Sequence, residues 1–387
     1  MSERDAVIVD AVRTPVGKRN GSLAKFHAVD LSAHVLNALV ARNGFDPAVV
    51  DDVIWGCVQQ VGQQGLNVAR MAVLGAGWPE SVPGTTVDRQ CGSSQQSIHF
   101  AAAGLLSGQY DVAIAGGVEM MSAVPMGATA RDPELGRPGG PKVRERYGVT
   151  FNQGIGAEMM AEKWGLSRGQ LDEFSSVSHA KLAAATDEGR LAGQIAPVEL
   201  PDGQVLSADE GLRRGTTPEK LAGLKPVFKE GGVIHAGNSS QISDGAAAVL
   251  MMTSDKAREL GLTPMARVRT AVLAGDDPVI MLTAPIPATL KALKKSGLSI
   301  GDIGAFEVNE AFAPVPLAWL AETGADPDRL NAGGGAIAIG HPLGASGARL
   351  MTALVHRMAA ENIQYGLQTM CEGGGMANAT VLELLDA

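Results

Sequence analysis

Cys91 is the first residue of the sequence whose type and position suggest chemistry. It lies in the segment 87–97, where a Gly-Ser-Ser start and apolar residues at 98, 101, 102 and 105 predict a buried helix with Cys91 at its first turn. At that position, unpaired backbone N–H groups and the positive end of the helix dipole favour the thiolate over the thiol, and the same N–H groups would hold an oxyanion beside the sulfur. The alternative is a small buried thiol that packs the start of the helix.

Other residues far along the chain would complement a cysteine nucleophile. An unperturbed thiol, with a pKa of about 8.5, is only slightly ionised at pH 7, so Cys91 needs a base. His341 suits that task, because a neutral imidazole titrates near neutral pH and its Gly-His-Pro turn would fix the direction of the ring. Cys371 precedes a run of three glycines that begins at Gly373, and Asn309 begins an Asn-Glu-Ala-Phe-Ala segment. The remaining histidines have no comparable setting and are interpreted as structural or solvated: His27, His34, His99, His179, His235 and His356.

Composition excludes several classes of protein. With 387 residues, of which 45% are hydrophobic, the chain is long enough for two cores of ordinary domain size. The net charge of −9 gives no electrostatic reason to bind nucleic acid or an anionic membrane. The 3 cysteines show no CxxC spacing, which argues against a zinc site, and their odd number fits poorly with a disulfide framework. No apolar run approaches the roughly 18 residues that span a bilayer, and neither the charged start 1–5 nor the end 384–387 resembles a targeting signal, so we expect a cytoplasmic protein.

Strand-like and helix-like segments alternate along most of the chain, as in a sheet covered by helices. The character changes between 121 and 245, where amphipathic helices are predicted at 154–164 and 168–190 and a polar, irregular stretch follows at 197–232. Three segments recur in the same order with an offset of 252 to 254 residues: 52–55 with 304–307, 91–94 with 343–346, and 111–117 with 365–371.

This repetition predicts two similar α/β halves that flank an insertion. The N-terminal half comprises 1–120 together with 246–268, and the C-terminal half comprises 269–387. The inserted loop domain between them is 121–245.

Six stretches in unbroken order resemble the thiolases, enzymes that make or break 3-ketoacyl-CoA. The resemblance runs from about Val7 to Leu385. A single motif would be suggestive, whereas six in sequence are specific. The stretches are Arg13–Lys18, Asp88–Ser94, Gly237–Ala248, Val308–Ala313, Asn331–Gly347 and Cys371–Gly375.

The resemblance implies a fold and an assembly. The fold is α/β, with two βαβαβαββ halves packed as a five-layered αβαβα core and an inserted loop domain that binds CoA. A homodimer or homotetramer is expected, because a sheet half that ends in the strand before Cys91 would leave an edge to cover. No cofactor and no metal are expected, since coenzyme A is itself a substrate.

The resemblance also implies catalytic roles. Cys91 would attack the ketone of a 3-ketoacyl-CoA, with His341 as its base. Cys371 would protonate the departing acetyl-CoA carbanion and later activate the incoming CoA thiol. Asn309 would fix a water that, with His341, holds the enolate oxygen, although Asn309 also suits a helix N-cap. The N–H groups of Cys91 and Gly373 would hold the thioester oxygen.

Two further residues are implied in CoA binding. Arg213 lies in an Arg-Arg-Gly-Thr-Thr segment that matches the family near the nucleotide end, so it is a candidate for the adenosine phosphates, with a solvated surface charge as the alternative. Ser240 matches a serine that lies beside the pantetheine.

The sequence departs from the usual short-chain pattern at two places. Asn152 and Gln153 stand where acetoacetyl-CoA thiolases carry His and Met, which changes the expected acyl pocket. Glu372 stands in place of the usual Ile after Cys371. A carboxylate there would raise the pKa of the thiol if it pointed inward, so we expect Glu372 to point away or to pair with a base. The segments around Cys91 and Cys371 look like those of actinobacterial degradative thiolases, some of which act in steroid breakdown.

The leading hypothesis is an acyltransferase that cleaves 3-ketoacyl-CoA with CoA, in fatty acid or steroid degradation, through a Cys91 acyl-enzyme and a ping-pong mechanism. Biosynthetic condensation of two acetyl-CoA molecules is an alternative that uses the same residues. A non-catalytic CoA-ester binding or carrier protein would not need all four of Cys91, Asn309, His341 and Cys371. A cysteine hydrolase would leave Cys371 and the Asn-Glu-Ala-Phe-Ala segment unexplained.

Overall fold

The computed structural model describes residues 4–385. Residues 1–3 and 386–387 lie outside the described residues. They belong to the two ends of the chain, which were predicted to contain no targeting signal. The strands are β1 (Val7–Arg13), β2 (Gly17–Lys18), β3 (Asp52–Gly56), β4 (Gly84–Val87), β5 (Val112–Met120), β6 (Val198–Glu199), β7 (Val205–Leu206), β8 (Ser243–Met252), β9 (Ala266–Gly275), β10 (Ala305–Val308), β11 (Tyr365–Glu372) and β12 (Met376–Leu384). The helices are α1 (Ala28–Asn43), α2 (Val68–Gly75), α3 (Ser93–Ser107), α4 (Gly140–Tyr147), α5 (Gln153–Lys163), α6 (Arg168–Asp187), α7 (Pro218–Ala222), α8 (Ser254–Glu259), α9 (Pro285–Ser296), α10 (Pro314–Thr323) and α11 (Ser346–Glu361).

The strand order repeats, which confirms the internal duplication predicted from the sequence. The main sheet runs β10-β11-β12-β9-β1-β8-β5-β3-β4. Outward from its centre, β1-β8-β5-β3 in one half matches β9-β12-β11-β10 in the other. In each half the first two neighbouring pairs are antiparallel and the last is parallel. The halves join through a short antiparallel contact of Val7 and Ile8 with Arg267 and Ala266.

Five layers follow from how the helices pack on this strand arrangement. Helices α1 and α2 bury their apolar faces against β3 and β5 on one side. Helices α3 and α11 lie in the middle and share one core with strands of both halves. Helices α9 and α10 cover β9 to β12 on the far side. The expected αβαβα architecture is therefore present, with most residues of the two central helices buried.

Close backbone contacts fix the starts of α3 and α11. A Cβ on Gly117, in β5, would lie 2.1 Å from the carbonyl oxygen of Gly344, and a Cβ on Gly347 would lie 2.2 Å from the backbone nitrogen of Gln95. Only glycine leaves room for such an approach. The Ser94 hydroxyl accepts a hydrogen bond of 2.9 Å from an N–H in the first turn of α11. The two helices therefore begin side by side.

The segment between the halves has the predicted helices. Helices α5 and α6 fall where amphipathic helices were expected at 154–164 and 168–190. The stretch expected to be irregular holds the small hairpin β6–β7 and the short helix α7. The domain limits predicted at 245/246 and 268/269 each fall just inside a strand, β8 and β9. Within the described part of the chain, no helix is long and apolar enough to cross a membrane.

We expect Gly344→Ala to destabilise the protein. Its Cβ would lie 2.5 Å from the Val118 carbonyl oxygen and 2.7 Å from both the Cys57 Cα and the Gly56 carbonyl oxygen, all backbone atoms that cannot move aside. Overpacking of this kind costs about 1 to 3 kcal/mol, measurable as a lower midpoint in urea or thermal unfolding. The control is Gly169→Ala in α6, where the nearest atom is 4.0 Å away. That change should be neutral or add up to about 1 kcal/mol. Equal stability of the two variants would contradict the packing described.

Candidate active site

Cys91 lies in a tight turn directly before α3. The helix begins at Ser93 with Gly92 as its N-cap. Cys91 therefore lies just before the helix, and the prediction that it sits in the first turn was wrong. The reason is the backbone of Gln90, which adopts a left-handed conformation with φ of 49° and turns the chain before the helix starts. The Ser93 hydroxyl closes the turn, since it donates to the Gln90 carbonyl at 2.6 Å and accepts from the Arg89 N–H at 2.9 Å. The thiol of Cys91 is thereby held in a fixed place, and the residue is only 4% exposed.

Three polar groups close to the Cys91 sulfur favour its thiolate form. They are the Gln153 side chain, the N–H of Cys91 itself and the N–H of Gly373, and each lowers the pKa of the thiol. Burial and the nearby Glu372 carboxyl act in the opposite sense and raise that pKa to about 12. The helix start was expected to favour the thiolate, but here desolvation outweighs it. The resting side chain is a thiol facing two backbone donors.

His341 is a neutral imidazole with a defined tautomer. Its Nδ1 lies 2.5 Å from the Ser346 hydroxyl, which itself donates to the Pro342 carbonyl at 2.8 Å. The Ser346 oxygen must therefore accept from an Nδ1–H, which leaves Nε2 unprotonated. Burial, with a smaller effect from the charge of Arg349, lowers the pKa of His341 to about 3. The ring is therefore a neutral base whose Nε2 carries the lone pair.

The approach of the chain to His341 requires a glycine. Gly340 has a φ of 119°, and a Cβ there would lie 2.2 Å from the Ser243 hydroxyl oxygen. That hydroxyl and the Gln241 carbonyl are both 3.2 Å from the His341 backbone nitrogen. The sequence prediction that the Gly-His-Pro turn fixes the ring is supported by these contacts.

Asn309 lies beside the free nitrogen of His341. Its Nδ2 is 3.4 Å from His341 Nε2, and its backbone N–H bonds the Thr369 carbonyl at 3.1 Å. Its Oδ1 is buried without a protein partner, so it can accept a hydrogen bond from a bound molecule. Because α10 begins at Pro314, Asn309 is not a helix N-cap, and that alternative is excluded.

Cys371 lies near Cys91 at the end of β11. It is 1% exposed, and burial, followed by the charge of the Cys91 sulfur, raises its pKa well above the ordinary value. Cys91 also packs against Leu343 and Met370, which flank the predicted positions of His341 and Cys371 along the chain. The structure thus places Cys371 and Gly373 beside Cys91, and Asn309 beside His341.

Glu310 and Asn331 were not predicted as site residues, yet they hold the loop that carries His341. The Glu310 carboxylate accepts from the Ser178 hydroxyl at 2.7 Å, the Asn331 amide at 2.9 Å and the Ile337 N–H at 3.2 Å. Asn331 also bonds both backbone groups of Val308, which precedes Asn309. Two features of the sequence could have indicated this role: the carboxylate of Glu310 next to the apolar residues that follow it, and the glycine-rich loop that begins after Asn331.

Of the two residues expected in the acyl pocket, only Gln153 reaches the site. Asn152 is exposed, and its side chain caps α5 by accepting the Ile155 N–H at 3.1 Å. Gln153, the first residue of that helix, is half-buried, and its side chain is close enough to the Cys91 sulfur to lower the pKa of the thiol. A residue expected to shape substrate choice thus also lies near the predicted nucleophile.

The two residues implied in CoA binding differ in position. Ser240 is half-buried, and its N–H bonds the Ala311 carbonyl at 2.9 Å, within the Asn309 segment. Arg213 is exposed, and its guanidinium makes no hydrogen bond or ion pair with any residue between 4 and 385, whereas neighbouring Arg214 pairs with Asp187. No contact joins Arg213 to the Cys91 group. No cluster of three or more potential metal ligands occurs in the described part of the chain.

Comparisons with known proteins identify the family. The family model described as Thiolase, N-terminal domain, matches residues 6–255, and that described as Thiolase, C-terminal domain, matches 262–384. The steroid 3-ketoacyl-CoA thiolase FadA6 of Mycobacterium tuberculosis is 49% identical over 98% of this chain and 94% of its own. A 3-ketoacyl-CoA thiolase of Escherichia fergusonii is 46% identical over 97% and 98%. The crystal structure of the Bacillus anthracis acetyl-CoA acetyltransferase superposes with a TM-score of 0.92 at 37% identity, covering 99% of both chains. The chain belongs to the thiolase family.

We expect Ser346→Ala to lower turnover without unfolding the protein. Without the Ser346 oxygen, the Nδ1–H loses its acceptor, and the tautomer with an unprotonated Nε2 keeps only the longer Asn309 contact of 3.4 Å. A positioned base contributes roughly 10²- to 10⁴-fold, so a partial loss of about 10- to 100-fold in kcat is expected in a thiolase assay. Ser175→Ala is the matched control, because the Ser175 hydroxyl is also buried and bonds a carbonyl one turn back in its helix, at 2.7 Å. If both variants keep wild-type kcat, the assigned tautomer has no role in turnover.

Proposed function

We propose that the protein is an acetyl-CoA C-acyltransferase that cleaves 3-ketoacyl-CoA with CoA, giving acetyl-CoA and a shortened acyl-CoA. The observation that carries the proposal is that the N–H groups of Cys91 and Gly373 are close enough to the Cys91 sulfur to lower the pKa of the thiol, and that a second buried thiol, Cys371, lies beside it. Two donors at a sulfur suit an oxygen that becomes negative as the sulfur attacks a carbonyl carbon. The names of the relatives support the degradative direction.

The first half-reaction uses a neutral thiol and a neutral imidazole. As the Cys91 sulfur bonds to the ketone carbon, its proton passes to His341 Nε2. Burial disfavours both charged forms, so the transfer accompanies the attack instead of preceding it. The carbon–carbon bond then breaks, the acyl group stays on Cys91, and the electron pair moves into the acetyl-CoA enolate.

The enolate leaves with a proton from Cys371. Its oxygen accepts from the new Nε2–H of His341 and from a water that Asn309 orients, while the proton on the Cys371 sulfur moves to carbon. In the second half-reaction, the Cys371 thiolate takes the proton of the CoA thiol, and the CoA sulfur attacks the acyl-Cys91 thioester. Cys91 departs and regains its proton from His341, so the site returns to its starting state.

Two other functions are less well supported. Biosynthetic condensation runs the same steps in reverse, and the residues are the same, so only kinetics separates the directions. A non-catalytic CoA-ester carrier would not need the buried Cys91, Cys371, His341 and Asn309 together, nor the Ser346 contact that selects the imidazole tautomer.

Substrate recognition is assigned to the insertion. The unpaired guanidinium of Arg213 is available to the CoA phosphates, and Ser240 lies next to the Asn309 segment where the pantetheine would enter. Gly211, two residues before Arg213, packs against the backbone at 338–339, close to His341. CoA acts as a substrate, and the chemistry above needs neither a cofactor nor a metal. Arg213→Ala should raise KM for CoA with little change in kcat; an unchanged KM would remove Arg213 from the binding site.

The proposal also includes the domain limits of the chain and its location in the cell. We assign 1–120 with 246–268 and 269–387 to the two halves and 121–245 to the CoA-binding insertion. The repeated strand order supports the two halves. All 3 cysteines are free thiols, which suits the reducing cytoplasm; recovery of the protein in a membrane or exported fraction would contradict this location.

The protein is expected to form a homodimer or homotetramer. Strand β4 is the last strand of the sheet, so its outer edge has no partner strand among residues 4–385. Leu66, which is 92% exposed, precedes Asn67, whose side chain bonds the first residue of β4. A second copy pairing at this edge would cover both. Sedimentation at micromolar concentration should show an oligomer that Leu66→Glu weakens, whereas a monomer in the unaltered protein would contradict the assignment.

A panel of 3-ketoacyl-CoA esters with free CoA tests the function. Gln153 makes the site more polar than the Met of short-chain relatives, so acetoacetyl-CoA should be a poor substrate and longer or ring-derived esters should be preferred. One such contact is worth roughly 10- to 200-fold in kcat/KM. Gln153→Met should shift the preference toward acetoacetyl-CoA. Equal or better efficiency with acetoacetyl-CoA than with C8 and ring-derived esters would favour the biosynthetic function.

A further inference from the structure

Glu372, between Cys371 and Gly373, is a fully buried carboxyl group without a hydrogen bond. It is the last residue of β11, it is 0% exposed, and neither of its oxygens has a partner within residues 4–385. Glu372 was expected to point away from the thiol or to pair with a base, but it forms no ion pair, and it lies close enough for its charge to raise the pKa of Cys91. A buried ionised carboxylate without partners is very costly, whereas a neutral carboxyl group is tolerated.

The carboxyl group occupies the space left by the missing side chain of Gly92. A Cβ on Gly92 would lie 2.0 Å from Glu372 Oε1 and 2.3 Å from Asn378 Oδ1. Both oxygens therefore lie close to one point beside the N-cap of α3, one residue from Cys91. Asn378 Oδ1 is also buried and without a partner.

The orientation of the Asn378 amide is set by its other contacts. Its Nδ2 donates to Gln96 Oε1 at 3.1 Å and to His99 Nδ1 at 3.3 Å. Burial lowers the pKa of His99 to about 3, so the ring is neutral and Nδ1 can accept while Nε2–H donates to the Thr380 hydroxyl at 2.7 Å. Asn378 thus presents an acceptor to Glu372, which must supply a proton if the two oxygens are to be compatible.

We propose that Glu372 is a positioning residue that keeps its proton in the working enzyme, donates it to Asn378 Oδ1, and limits the reactivity of Cys91 at alkaline pH when that proton is lost. This inference rests on the proposed role of Cys91 as nucleophile. The link to Cys91 is electrostatic, because a charge on Glu372 raises the pKa of the Cys91 thiol.

The groups around Glu372 set where it titrates. Burial raises its pKa to about 8, while the charge of Arg89, on the turn before α3, and the nearby Asn378 N–H lower it in part. Arg89 forms no ion pair with it, and Arg89 Nε is itself buried without a partner. From α3 and β12, the facing groups are Gln96, the neutral His99 and Asn378. Below about pH 8 the carboxyl group is therefore neutral, and above that pH a negative charge develops behind Cys91.

Alkylation of Cys91 by iodoacetamide between pH 6 and 10, read by peptide mass spectrometry, tests the proposal. In the unaltered protein the rate should rise less steeply above pH 8 than in Glu372→Gln, which cannot ionise but still donates to Asn378. The difference at pH 9.5 should be on the order of 10-fold, as expected for a charge at this range in a partly polar interior. At pH 7 the two rates should agree within about threefold.

A matched control separates this effect from any loss of a buried carboxyl group. Burial also raises the pKa of Glu307, to about 7, on the neighbouring strand β10. In Glu307→Gln the alkylation rate should rise above pH 8 as little as in the unaltered protein. Glu372→Ile removes both the charge and the donor. Its alkylation rate should therefore rise above pH 8 as steeply as in Glu372→Gln, and it should also be lower at pH 7.

Two outcomes would overturn the proposal. One is an alkylation rate that rises equally above pH 8 in the unaltered protein and in Glu372→Gln. The other is an alkylation rate more than tenfold lower at pH 7 in Glu372→Gln than in the unaltered protein. If that variant does not fold, infrared spectra test the protonation of Glu372. A protonated carboxyl band that disappears between pH 7 and 9.5, both in the unaltered protein and in Glu307→Gln, supports the assignment. The absence of such a band at pH 7 opposes it. Alkylation reads the thiol directly, so the result stands even if the thiolysis panel shows no turnover.

Discussion

The close backbone packing of α3 against the start of α11 is the constraint on which the rest of the site depends. Gly117, Gly344 and Gly347 allow carbonyl and amide groups of the two halves to approach within distances that any side chain would block. Cys91 precedes the first helix and His341 precedes the second. Because the two helices are enclosed between the two halves of the sheet, their starting points cannot shift independently, and the chemistry is fixed by the core instead of by mobile loops.

Buried carboxylates connect that core to the reacting groups. Glu119 accepts N–H groups of Val58, Gln59 and Gly344, and so ties the end of β3 to the loop before α11. Glu310 does the same for the loop that leads to His341. Such networks stabilise a unique arrangement only when every member is satisfied. Glu372 is the exception, and its unsatisfied oxygens are the reason for assigning it a proton.

Much of this could be predicted from the sequence, and the failures have physical causes. Apolar periodicity located α5 and α6, and the recurrence of three segments revealed the duplicated halves, because both signals are local or repeated. The position of Cys91 outside the first helical turn depends on the left-handed backbone of Gln90, which no propensity indicates for glutamine. The contacts of Gln153 with Cys91 and of Glu310 with Ser178 join residues far apart in the chain. The thiolate was expected from the helix start alone, whereas the degree of burial, which reverses that expectation, emerges only when the five layers are assembled.

The central claim is that Cys91 carries the acyl group during turnover. Enzyme mixed with an acyl-CoA, quenched in acid within the first turnovers and digested, should show by mass spectrometry the acyl mass on the peptide that contains Cys91. The adduct should disappear when free CoA is added before the quench, since CoA completes the transfer. An adduct confined to the peptides of Cys57 or Cys371, or no adduct under conditions where 3-ketoacyl-CoA is consumed, would contradict the account.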